Sequence, residues 1–182
     1  MTGQQVTIVV LNWRQTEKTL RCLRSIEQLD SPAHVIVVDN GSGDGSASAL
    51  GLYAKAQSAQ FPEVALIALP ENVGFAVGCN FAIERALARD DCEYVFLVNN
   101  DAVLNPQTLS KLLEAANQYP QGGIFGPKVY CWHDRRKVWY AGARRRRGVL
   151  AATDTGRECI CPGIPRTVEH LRFRFQGRRN GT

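Results

Sequence analysis

The sequence has no apolar run near the ~18 residues a membrane span needs. Its first apolar run, Val6 to Leu11, is six residues long and has no basic segment before it. It reads as a buried strand rather than a signal peptide, and a cytoplasmic chain is the expectation. Four-ligand zinc spacing is missing too: the six cysteines at 22, 79, 92, 131, 159 and 161 are scattered. Cys159-Ile160-Cys161 is the only close pair, and two ligands do not make a zinc site. Without an export signal, reduced thiols are expected. No zinc finger, RNA-binding signature or aromatic-interleaved basic helix occurs, so nucleic acid is not an expected partner. Lysine is absent from residues 138–182, which carry ten arginines and three acids (Asp154, Glu158, Glu169), hence +7. Residues 1–137 therefore carry −2 of the overall +5. A near-neutral body with a basic tail fits anionic substrates or peripheral contact with an anionic membrane.

What is present is a core and a rhythm. The 182 residues suit one domain of ordinary size, and 45% apolar residues can fill it. Strand patterns occur at Val6–Leu11, Val35–Val38, Val64–Leu69, Tyr94–Val98 and Gly123–Tyr130. Helix patterns lie between them: Thr16 to Leu29, a helix ending near Gln57, Gly74 to Ala88, and one opening at Asn105-Pro106. Leu109, Leu112, Leu113 and Ala116 give that last helix its apolar face. Repeated β-α units predict an α/β fold: a Rossmann-like, mostly parallel sheet with helices on both faces. After about residue 137 arginine, glycine and turn residues dominate, and no helix is expected.

In such sheets ligands bind beyond the carboxyl ends of the strands. Four of those ends are polar: Leu11-Asn12-Trp13, Asp39-Asn40-Gly41-Ser42, Glu71-Asn72-Val73-Gly74-Phe75 and Asn99-Asn100-Asp101. Together on one rim they suggest a cleft for a polar ligand. Asp39 can accept a hydrogen bond from a base N–H or a ribose hydroxyl, or equally cap a turn. Gly74 and Gly78 let either a ligand or a neighbouring strand come close to a helix start, and a helix N-terminus favours phosphate. Phe75 and Phe81 are expected in the core. Asn99-Asn100-Asp101 is the sharpest local signal. A diphosphate leaving group needs charge neutralisation, commonly from Mg²⁺ or Mn²⁺, and these cations take carboxylate, phosphate and water oxygens. Asp101 offers the carboxylate, unless it merely begins the following turn.

The ordered set TIVVLNW, VIVVDNGSGDGS, ENVGFAVGCN and VFLVNNDAVLNP resembles family 2 glycosyltransferases of the GT-A fold. It is similar in particular to the rhamnosyltransferase-like branch, over about residues 6–143. The resemblance implies inverting transfer of a sugar from a nucleotide-diphosphate donor to a glycan or lipid-linked acceptor, in cell-wall polysaccharide biosynthesis. UDP- or dTDP-sugars are the implied donors, with dTDP-rhamnose suggested by the branch. It further implies that Leu11 and Asn12 lie against the nucleotide, and that Asp39, with Asn40 beside it, binds the pyrimidine base. Asn72, Gly74 and Gly78 would line the donor cleft. Asn99, Asn100 and Asp101 correspond to the Asp-X-Asp metal and diphosphate motif, with Asp101 as the ligand for Mg²⁺ or Mn²⁺.

The chain departs from that pattern twice. Asn99 stands where the first acid of Asp-X-Asp would be, which should weaken metal affinity. Family members also continue through an acceptor-side region whose acidic motif supplies the general base. Residues 138–170 look like the approach to it, but no matching base follows, and Glu158 and Glu169 are the available acids. The expected organisation is a nucleotide-sugar-binding domain over 6–137 and a basic, incomplete acceptor-side segment over 138–182, cut short before the acceptor site is complete. A remnant that binds donor without turnover is therefore one alternative. Another is an S-adenosylmethionine-dependent methyltransferase, since Asp39-Asn40-Gly41-Ser42-Gly43-Asp44-Gly45 fits its acidic, glycine-rich turn. That reading leaves ENVGFAVGCN and Asn99-Asn100-Asp101 unexplained. Glycines 41, 43 and 45 do not give the G-x-G-x-x-G of a nicotinamide site.

Overall fold

The computed structural model describes residues 5–57, 64–141, 143–146 and 149–152. They fall into two compact units divided between Pro127 and Lys128. The first contains β1 (Gln5–Asn12), α1 (Thr16–Ile26), β2 (His34–Asp39), α2 (Ser46–Gln57), β3 (Val64–Ala68), α3 (Phe75–Leu87), β4 (Cys92–Asn99) and α4 (Thr108–Gln118). Its four strands form one parallel sheet in the order β3-β2-β1-β4.

Periodicity explains the layers. The strands are rich in Val and Ile, which suit a pleated surface covered on both faces; every residue of β2 is buried. Alternate side chains go to opposite faces. Ile8, Val10, Val35 and Val37 pack with Cys22, Leu23 and Ile26 of α1, Leu50 of α2 and Leu109 of α4. Val9, Ile36 and Val38 meet Ala82 and Ala86 of α3 on the other face. Each fully buried Val or Ile contributes about 1.5–3 kcal/mol. In α1 the buried residues Thr19, Cys22, Leu23 and Ile26 follow a three- and four-residue spacing. Glu17 in its first turn and Arg24 in its last complement the helix dipole.

The strand order locates the crevice. From β1 the chain steps outward to β2 and β3, then returns to lay β4 on the other side of β1. The switch point lies between β1 and β4, where an open α/β sheet leaves room for a ligand outside the carboxyl ends.

Three local expectations change. The helix expected from Asn105 begins at Thr108, because Asn105 closes a turn first: its side-chain Oδ1 accepts from Gln107 N and its carbonyl from Thr108 N. The strand expected over Gly123–Tyr130 shrinks to β5 (Val129–Tyr130), since the segment before it holds Gly123, Gly126 and Pro127, poor ladder formers. Phe75 and Phe81, expected in the core, are exposed. The buried face of α3 is Gly78, Cys79, Ala82 and Ala86, and Phe81 points about 100° away from Ala82 around the helix. In the second unit, where no helix is expected past residue 137, the described elements are strands: β5 pairs antiparallel with β6 (Val138–Tyr140), and β7 (Ala143–Arg146) with β8 (Val149–Ala152). Among the described residues no helix is long and apolar enough to cross a membrane. Cys22, Cys79 and Cys92 are free thiols. Glu158, Glu169 and the Cys159/Cys161 pair lie outside the described residues.

Candidate functional site

One buried hydrogen-bonded chain ties three strand ends together. Asn100, just past β4, donates from Nδ2 to Thr19 Oγ1 at 3.0 Å. Thr19 donates to Asn12 Oδ1 at 2.6 Å. Asn12, the last residue of β1, donates from Nδ2 to Asp39 Oδ1 at 2.7 Å and to Ser42 Oγ at 3.2 Å. Ser42 Oγ donates to Asp39 Oδ1 at 2.6 Å, and its backbone N–H to Oδ2 at 3.2 Å. Register explains the arrangement: Asn12 is paired with Asp39, and Leu11 with Asn99. Asn12 and Asp39 therefore fall on the α1 face, where Thr19 waits in an otherwise apolar helix stripe. Asn12, Thr19, Asp39 and Ser42 are all buried. A buried carboxylate is tolerable when charge-assisted hydrogen bonds compensate it, and Asp39 receives three.

A second cluster fixes the loop before α3. Asn40 is buried and donates from Nδ2 to Asn72 Oδ1 at 3.0 Å and to the Gly74 carbonyl at 3.3 Å. Its own Oδ1 accepts from Val73 N at 3.1 Å, while Asn72 Oδ1 accepts from Gly74 N at 2.8 Å. The backbones touch here. A Cβ on Gly41, whose φ is +64°, would sit 2.2 Å from the Glu71 carbonyl carbon. A Cβ on Gly78 would lie 2.6 Å from Leu11 Cδ1. Gly78 thus permits close packing of α3 on the sheet, with Leu11 filling the space. Gly74, the residue before α3, has φ +83° and open space where a Cβ would be.

The β4 end faces outward instead. The side chains of Asn99 and Asp101 are exposed, with Asn100 half-buried between them. Below them, Cys22 Sγ donates to the Asn99 carbonyl at 3.6 Å. Burial pushes the Cys22 thiol up to about 12, and the Asp101 carboxylate adds to the rise. Asp101 is close enough, then, to act on α1 electrostatically while remaining open to solvent. Among the described residues no three His, Cys, Asp or Glu side chains cluster as a metal cage. A single exposed carboxylate suits a hard cation that takes its other oxygens from a ligand phosphate and water. A cavity of about 170 Å³ lined by Thr7, His34, Arg85 and Arg89 lies at the opposite, amino end of the sheet and is separate from this rim.

All ten residues expected at the site lie on or beneath this one rim. Sequence reasoning missed Thr19 and Arg14, and took Ser42 only as part of a polar strand end. Thr19 had a signal, a hydroxyl in an apolar helical stripe. Ser42 stood inside the Asp39–Gly45 turn. Arg14 had none, because its left-handed backbone (φ +53°) is visible only in the structure.

A family model, Glycosyl transferase family 2, matches residues 7–176, which sets aside the methyltransferase reading of the Asp39–Gly45 turn. An N-acetylglucosaminyl-diphospho-decaprenol L-rhamnosyltransferase of Mycobacterium tuberculosis is 29% identical over 107 residues, covering 55% of this chain and 33% of the relative. The match thus spans about a third of that relative's length. The solved mannosyltransferase PcManGT of Pyrobaculum calidifontis, in complex with GDP-Man and Mn²⁺, superposes with a TM-score of 0.58 at 23% identity, over 72% of this chain and 37% of that one. S. aureus TarS 1–349 in complex with UDP-GlcNAc gives 0.54 at 18% identity, over 69% of this chain and 40% of that one. These likenesses carry the fold.

Proposed function

The chain belongs to glycosyl transferase family 2, and from that premise we propose that its carboxyl rim holds a nucleotide-diphosphate sugar, a UDP- or dTDP-sugar, for transfer to a glycan or lipid-linked acceptor. The observation that carries the reading is the rim itself. Polar strand ends gather at the switch point of the sheet, braced from beneath by buried and part-buried bonds, with Asn99 and Asp101 left open to a ligand.

The residues divide the work. Asn12, Asp39 and Asn100 give the rim its shape, and Asn40 and Asn72 hold the loop that walls the cleft before α3. Asp39, buried and bonded to Asn12 and Ser42, shapes the base side of the cleft. Gly74 leaves room for the donor, and Gly78 and Leu11 set the floor. Asp101 is the protein ligand for Mg²⁺ or Mn²⁺, with Asn99 and Asn100 as neutral neighbours. When bound, the cation neutralises the charge that develops on the departing diphosphate. The acceptor hydroxyl attacks the anomeric carbon from the face opposite the diphosphate. Its proton passes to a base, the anomeric C–O bond to phosphate breaks, and configuration inverts. The reading gives the rim donor binding and leaving-group stabilisation, and assigns the base to none of its residues. The name of the L-rhamnosyltransferase relative supports a rhamnosyl donor and a lipid-linked acceptor; to these our reading adds dTDP as the carrier, the cytoplasmic membrane face and cell-wall polysaccharide synthesis.

The test is titration calorimetry with UDP and dTDP, with and without Mn²⁺, on the whole chain. Saturable binding of either nucleotide is expected. Binding of neither, in a sample shown to be folded, overturns the proposal.

A further inference from the structure

Arg14 follows β1 by two residues and has an uncommon backbone. Its φ of +53° makes it the one non-glycine residue in the left-handed region among those described. Such a conformation is strained and persists only where the surroundings enforce it. Here the enforcement comes from Ser42. The Arg14 backbone N–H donates to Ser42 Oγ at 2.9 Å, and its Nε to the Ser42 carbonyl at 3.1 Å. Ser42 is itself buried and bonded to Asp39, so the arginine is pinned to the rigid part of the rim. The guanidinium carbon also lies 5.5 Å from the centroid of the exposed Trp13 ring, a cation–π contact that steadies it further.

What the guanidinium leaves over is the informative part. Nε is used, but among the described residues its two terminal nitrogens make no hydrogen bond or ion pair. The nearby acid, Asp44, turns its carboxylate to the hydroxyl and N–H of Ser46. Hydrogen bonds from Ser46 hold its pKa below the usual carboxylate range, with the Arg14 charge the weakest contributor. A planar fork with two free donor nitrogens, fixed by its own backbone beside the switch point, matches the oxygens of a phosphate.

We propose that Arg14 is a phosphate-binding residue of the donor site, gripping the diphosphate of the nucleotide through its terminal nitrogens from the β1–β2 side of the rim. Asp101 stands on the β4 side, so the diphosphate is bracketed by a guanidinium and by the carboxylate proposed to carry the cation. This inference rests on the donor reading above.

The experiment compares UDP and uridine binding to the wild-type chain, Arg14→Gln and Arg14→Gly. Glycine accepts the left-handed backbone without strain, so Arg14→Gly removes the charge while keeping the melting temperature at or near the wild-type value. Both variants should bind UDP at least about tenfold more weakly, the loss expected for a charge-assisted hydrogen bond, and uridine within about twofold of wild type. UDP affinity within about twofold of wild type in both variants overturns the assignment, as does an equal loss for uridine and UDP. Where the wild-type chain takes dTDP rather than UDP, the same comparison is made with dTDP and thymidine; a folded wild-type chain that binds neither UDP nor dTDP overturns the donor reading, and this inference with it.

Discussion

Asp39 and Asp101 come just at or beyond the ends of the two strands that flank β1, yet the structure treats them oppositely. Asp39 is 2% exposed and receives three hydrogen bonds from Asn12 and Ser42. Asp101 is exposed, and its charge adds to the rise that burial gives the Cys22 thiol. The β2 side of the rim is a brace, closed and internally satisfied. The β4 side is an opening. An acid at a strand end therefore has two distinct uses, and burial decides between them: a carboxylate already surrounded by donors shapes a site, while an exposed one is available to a cation or ligand. Mutations should then separate stability from binding according to the side they touch.

The largest expected effect is on the closed side. Gly41→Ala adds a Cβ 2.2 Å from a backbone carbon at a φ of +64°, and should cost about 4 kcal/mol or leave the chain unfolded. A denaturant midpoint near that of wild type would show that the loops around Gly41 and Glu71 are not in contact. Asp39→Ala should come next, at about 3 kcal/mol, because it strands the side-chain donors of Asn12 and Ser42 and one backbone N–H. A loss below about 1 kcal/mol would mean that the brace is not structural.

Smaller per unit of pH is an alkaline effect of two buried thiols. The Cys22 and Cys79 thiols are raised from 9.0 to about 12 and about 11, chiefly by burial. A folded pKa above the unfolded value gives stability that is complete below about pH 9 and lost as pH rises toward 11 and 12, because the unfolded chain releases the protons first. Stability should fall over that window by about 1.4 kcal/mol per pH unit for each thiol. Cys22→Ala should flatten the slope by one such increment. An unchanged slope would place the Cys22 side chain in water rather than under the rim.

The sequence made much of this legible. Runs such as VTIVVL and HVIVVD hold β-branched residues at positions that must be covered on both faces, so strands β1 and β2 and their polar ends could be read directly. Helix spacing identified α1 and α3. The division of labour among the polar residues was not legible. Asp39 and Asp101 look alike in one dimension; only the register that pairs Asn12 with Asp39, and the helix that carries Thr19 beneath them, distinguishes buried from open. The same limit explains Phe81, apolar by type yet turned away from the buried face of α3. It explains Asn105 too, whose side chain caps a turn before the helix rather than the helix itself. Arg14 was hidden for a stronger reason, since nothing in its neighbours' identities announces a left-handed backbone.

The central claim is that the open side of the rim carries a nucleotide diphosphate with a cation on Asp101. The most direct measurement titrates UDP and dTDP into wild type and Asp101→Ala, each with and without Mn²⁺. The account predicts folding stability within about 0.5 kcal/mol of wild type, as for an exposed substitution. It also predicts loss of the metal-dependent part of the affinity, by at least about tenfold. Equal affinity in the two proteins, with and without Mn²⁺, would contradict it.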